Sequence, residues 1–72
     1  MADISHTVYV FYKKDGMRAD RKLYAKSEAH ARARLLDYIT AENIRACDFG
    51  SCLVHRSEDS TQYHLNYKGD KT

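Results

Sequence analysis

Proline and tryptophan are absent from the 72 residues, and glycine occurs only three times. Collagen-like repeats, polyproline segments and Gly-rich linkers are thereby excluded. Cysteine is almost as scarce, and Cys47 and Cys52 are too few for a disulfide scaffold. In an extended strand they would lie about 16 Å apart, and their odd separation puts them on opposite faces, so free thiols are expected. No apolar run approaches the ~20 residues of a membrane span, and the N-terminus carries no signal-peptide pattern. A cytoplasmic domain that makes no membrane contact is the expectation. A dominant charge is missing too: twelve Lys and Arg stand against ten Asp and Glu, a net +2. That is too balanced for a non-specific nucleic-acid binder and too positive for a DNA mimic. The length suits one domain, 1–72, with an ordered core over about 7–67 and polar tails at 1–6 and 68–72.

What is present is strand-forming sequence around one helical segment. Thr7-Val8-Tyr9-Val10-Phe11-Tyr12 is an unbroken β-branched and aromatic run, the strongest strand signal in the chain. Asp15-Gly16 follows as a two-residue hairpin turn, and the returning strand spans about Met17 to Lys26. Ser27 reads as an N-cap with Glu28 at the positive end of a helix. The helix runs over about Glu28 to Ala41, with Ala29, Ala33, Leu36 and Thr40 as its apolar stripe, flanked by Leu35 and Ile39. His30, Arg34, Asp37 and Tyr38 are placed on its solvent side. Cys47 to Arg56 reads as a third strand with a bulge or bend at Gly50. Ser57-Glu58-Asp59-Ser60 is a turn, and Thr61 to Tyr67 alternates as a fourth strand. The fold class predicted is α+β, ββαββ, with one helix on one face of a mostly antiparallel four-stranded sheet. The order of the strands, and a parallel edge between the hairpins, are left open.

The turns imply registers. With Asp15-Gly16 as the loop, Val8 opposes Leu23, Val10 opposes Arg21 and Tyr12 opposes Ala19 on one side. On the other, Thr7 opposes Tyr24, Tyr9 opposes Lys22 and Phe11 opposes Asp20. With Glu58-Asp59 as the second loop, Val54 pairs with Tyr63 and Cys52 with Leu65. Leu53 then pairs with His64, and His55 with Gln62, on the opposite side. One helix covers one face, and the aliphatic side suits it. The uncovered face carries Tyr9, Phe11, Lys22, Tyr24, Leu53, His55, Gln62 and His64, an apolar patch ringed by polar groups of the kind interfaces use. It suits a homodimer or a hetero-complex. Charge is uneven as well: residues 13–34 hold eight Lys or Arg against three acids, and residues 35–72 hold four against six. Tyr9, Phe11 and Tyr24 with Lys22 between them also suit direct binding of single-stranded nucleic acid.

Chemistry beyond binding finds little support. Cys47, Cys52, His55 and His64 are all zinc-ligand types, but their spacing is not a standard one and the register splits them between faces. Asp48-Phe49-Gly50 lacks every other kinase motif, and Gly69-Asp70-Lys71-Thr72 lacks the upstream glycine of a P-loop. No catalytic triad is readable, and so small a domain has little room for the usual pocket of about 300 Å³ or more. Neither cofactor nor metal is expected.

Tyr24-Ala25-Lys26-Ser27-Glu28-Ala29-His30-Ala31 leads from a strand into an Ala-rich helix. This segment, with the element order, resembles the small bacteriophage inhibitors of host machinery, both the phage inhibitor of host RNA polymerase and the compact anti-CRISPR proteins. The resemblance implies a non-enzymatic phage or mobile-element protein that blocks a host nucleic-acid-handling complex. In that role Tyr9, Phe11 and Tyr24 would anchor, and Lys13, Lys14, Arg18, Lys22 and Arg34 would engage the target. In the opposite orientation Glu58 and Asp59 would make the charged contact.

Overall fold

A computed structural model describes residues 4–72 of the chain. The elements are β1 (His6–Lys14), β2 (Met17–Ala25), α1 (Glu28–Ala41), a short 3-10 turn (Ala46–Asp48), β3 (Phe49–Arg56) and β4 (Gln62–Leu65). They form one α+β unit of order ββαββ, with the sheet arranged β2-β1-β3-β4. Every neighbouring pair is antiparallel, so the parallel edge left open by the sequence does not form. The hydrophobic first strand, β1, sits inside the sheet, and the charged β2 takes an edge, where lysines and arginines discourage unwanted pairing.

Both hairpin registers follow the turn chemistry. Asp15 and Gly16 have positive φ, 53° and 78°, the geometry that keeps a two-residue loop in step with strand twist. Val8 accordingly opposes Leu23, Tyr9 opposes Lys22 and Lys13 opposes Arg18. In the second hairpin Cys52 opposes Leu65 and Leu53 opposes His64. The β1–β3 ladder slips between Phe11 and Tyr12, which pair with Ser51 and Phe49. Gly50 is therefore the extra residue of a bulge, as its glycine suggested. Residues 46–48 form the 3-10 turn, so β3 begins at Phe49 and not at Cys47.

The helix has the expected bounds and cap, with the Ser27 hydroxyl accepting from the His30 amide at 3.1 Å. Its buried stripe differs from the expected one. Ala31, Leu35 and Ile39 face the sheet, while Ala29, Ala33 and Thr40 are exposed and Leu36 is 40% exposed. Adjacent leucines at 35 and 36 made the phase ambiguous, and contacts at both flanks decide it. On one flank Tyr38, expected in solvent, packs edge-on against Tyr12 with ring centres 5.7 Å apart and hydroxyls 2.5 Å apart. Burial, then the bond to Tyr12, raises the Tyr38 phenol above its usual range. His30 is also half-buried, its Nδ1 accepting from the Lys26 amide at 3.0 Å.

On the other flank lies the end of the chain, which is not a free tail. After β4, Lys71 bridges back to Leu65 and the Thr72 amide donates to the His64 carbonyl at 3.1 Å. Gly69, at φ 85°, is buried against Leu36. Arg32 donates to the Gly69 carbonyl at 2.7 Å and to the Asp70 carboxylate at 3.0 Å. At the start, Ser5 and His6 are not frayed: the Ser5 amide donates to the Ala25 carbonyl at 3.1 Å, and His6 is buried. The remainder of the expected N-terminal tail, 1–3, lies outside the described residues.

Candidate functional site

The regular β1–β2 ladder and alternating burial assign the outer face of the sheet, opposite α1. Its rows run across the strands. Tyr24, Thr7, His55 and Gln62 form one; Lys22, Tyr9, Leu53 and His64 form the next. Asp20, Phe11 and Ser51 follow, and Arg18 beside Lys13 closes the face at the hairpin end. Tyr9, Leu53 and His55 are half-buried by their neighbours, whereas Phe11 and Tyr24 are 41% and 46% exposed. Tyr9, Phe11, Tyr24, Lys22, Leu53, His55 and His64 are thus brought onto one surface.

Lys22 organises the β2 side. Its ammonium lies 5.8 Å from the Tyr9 ring centre and 5.7 Å from that of Tyr24, a cation–π pairing with both. Among the described residues, no carboxylate lies within 4.0 Å of Lys22, Lys13 or Arg18. Other cations are engaged elsewhere: Lys14 with Glu42 at 3.4 Å, Arg32 with Asp70 at 3.0 Å, and Lys71 with Glu28 at 2.6 Å. The Lys14–Glu42 and Arg32–Asp70 pairs each set a cation of the basic segment against an acid of the acidic one, so the expected charge separation is partly cancelled within the fold.

The remaining residues do not join this surface. Lys14 reaches the C-terminal end of α1 on the opposite side. Arg34 projects from the exposed side of the helix. Glu58 and Asp59 lie at the far end of the sheet from Lys13 and Arg18, because β1 and β3 run antiparallel. Arg56 holds both, at 3.1 and 3.9 Å. The Asp59 carboxyl is kept low chiefly by its hydrogen bond with Thr61. The second hairpin is therefore already compensated.

The four metal-ligand types do not converge. Cys52 is buried on the helix side, Cys47 is exposed in the 3-10 turn, and His55 and His64 face outward. Burial pushes the Cys52 thiol up to about 12.

The sequence reading missed a depression of about 480 Å³ at the hairpin end of the outer face, lined by Phe11, Lys13, Arg18, Asp20 and Gly50 together with Tyr12 and Ala19. It exceeds the volume thought too large for this domain. The Gly50 bulge was the available signal, since it removes a side chain beside Phe11 and displaces β3 there. No family model matches the chain, and neither a curated protein nor a solved structure matches it significantly.

Proposed function

We propose that this chain is a non-enzymatic binding module that covers a surface of a protein partner with its outer sheet face. The observation that carries this reading is the row Lys22–Tyr9–Leu53–His64, an apolar centre with polar ends on a face that, among the described residues, no element covers. Aromatic anchors surrounded by charge are what such interfaces use for energy and orientation. Lys13, Arg18 and Lys22 against Asp20 alone make the face cationic, which sets one copy against another and favours an acidic partner over a homodimer. The phage-inhibitor likeness of Tyr24–Ala31 extends the proposal to the target, a host complex that handles nucleic acid.

A second reading, a single-stranded nucleic-acid binder, draws on Tyr9, Phe11 and Tyr24 lying among the same cations. Against it, the ring faces that Tyr9 and Tyr24 turn toward Lys22 are already taken by its ammonium, which leaves less open ring for base stacking. Capture of a protein by the tagged full-length chain, after nuclease treatment, tests the first reading. Tyr9→Ala with Leu53→Ala is expected to abolish capture, and Glu58→Lys with Asp59→Lys to leave it unchanged. Equal capture by all variants would overturn the reading. Oligonucleotide binding with a steep loss on adding salt would favour the second.

A further inference from the structure

Lys13 and Arg18 stand directly opposite each other across the first hairpin. Like charges in that relation repel and destabilise a strand pair. Neither is held in an ion pair, since among the described residues neither has a carboxylate within 4.0 Å. Lys14, the immediate neighbour of Lys13, is by contrast paired with Glu42 at 3.4 Å. The two cations also rim a depression of about 480 Å³, with the exposed Phe11 ring and the bare Gly50 backbone among its walls. Two facing cations that outnumber the one nearby carboxylate, Asp20, beside an apolar wall and an open volume, describe an anion site with an apolar subsite attached.

We infer that this depression is the anchor pocket of the outer face and takes an acidic side chain from a protein partner, with the adjoining apolar residue of that partner laid on Phe11. The inference rests on the proposed reading of the face and names the chemistry of what it grips. Arg18 presents a planar fork to a carboxylate, and Lys13 adds a point charge. Asp20 opposes Phe11 on the neighbouring row; it offsets one of the two cations and offers an acceptor to the partner's backbone amides. A carboxylate followed by an apolar group satisfies all of these contacts.

The test is amide NMR of the full chain titrated with a doubly blocked peptide, acetyl-Leu-Asp-Leu-Glu-Leu-amide. Its uncharged counterpart with Asn and Gln serves as the control. Saturable shifts at Phe11, Lys13, Arg18 and Gly50 with the acidic peptide alone are expected. Lys13→Glu with Arg18→Glu should weaken binding by about tenfold or more, with amide dispersion reporting that the variant folds. Lys13→Gln with Arg18→Gln serves as a second variant, and an intermediate loss is expected. Equal shifts from the Asn/Gln peptide would overturn the inference. So would an oligothymidylate strand that binds these residues more tightly than the peptide at the same salt. Shifts at Tyr9, Lys22 and Leu53 with Lys13, Arg18 and Gly50 unmoved would overturn the pocket and leave the reading of the face intact. No shift at either set overturns the pocket, and the capture experiment then decides the face separately.

Discussion

A Cβ on Gly50 would stand 2.8 Å from the carbonyl oxygen of Phe11, so the β3 bulge holds the two strands closer than any side chain there allows. The contacted atom is backbone in an interior strand, β1, which has little freedom to retreat. Gly50→Ala is therefore expected to cost about 1–3 kcal/mol through strain. Denaturant unfolding would register it as a lower midpoint at unchanged slope. A wild-type midpoint would mean that the bulge relaxes without effort.

The helix phase gives a sharper comparison. Leu35 is fully buried while its neighbour Leu36 is 40% exposed. Leu35→Ala is expected to cost about 2–5 kcal/mol, a large part of the stability of a domain this small. Leu36→Ala should cost about 1 kcal/mol, for the contact it loses with Gly69. Equal losses in thermal or urea unfolding would contradict the assigned stripe.

Those two leucines also mark where the sequence stops being informative. The strand runs, both hairpin registers, the Ser27 cap and the Gly50 bulge were legible because each depends on residues close in sequence. Turn chemistry at Asp15-Gly16 sets a register by itself. The helix phase was not legible, because Leu35 and Leu36 satisfy an apolar stripe equally and the choice falls to Tyr12 and Gly69, far away in the chain. The same holds for the candidate face. Parity placed Tyr9, Lys22 and Leu53 together, but nothing local indicated that Lys14 would turn to Glu42 while Lys13 stayed unpaired. The closing turn at 66–72 read as a tail because its residues are polar; what orders it is Arg32 reaching two of its oxygens.

That closing turn makes its own prediction. Arg32, Leu36 and Leu65 all hold it, and Lys71 also sits 4.5 Å from the centre of the Tyr63 ring. Exposed ion pairs contribute little singly, whereas a carbonyl bonded to Arg32 and a glycine seated on Leu36 are local packing. Deleting residues 68–72 is expected to lower the unfolding midpoint. It should also speed amide exchange at Asn66, whose N–H donates to the Asp70 carbonyl at 2.8 Å, and at Leu65, its neighbour at the end of β4. Unchanged exchange at those two amides would show that β4 does not depend on the turn.

Alkaline pH should expose the burial of Cys52. Its thiol is pushed up to about 12 from an ordinary 9.0 by burial. The folded state then keeps the proton after the unfolded chain has lost it. This contribution is complete below pH 9.0 and is lost as pH rises from there toward about 12. The Tyr38 and Tyr63 phenols are raised chiefly by burial as well, from 10.0, so their share of the loss begins higher. Between about pH 8 and pH 10 the wild type should lose about 1 kcal/mol more than Cys52→Ala, because only the wild type has a buried thiol to ionise on unfolding. Urea midpoints for the two proteins at the two pH values measure that difference. Thiol labelling gives an independent check: exposed Cys47 reacts in the native protein, and buried Cys52 only as the sheet opens. Equal alkaline losses, or simultaneous labelling of both cysteines, would show that the helix does not seal Cys52 against the sheet.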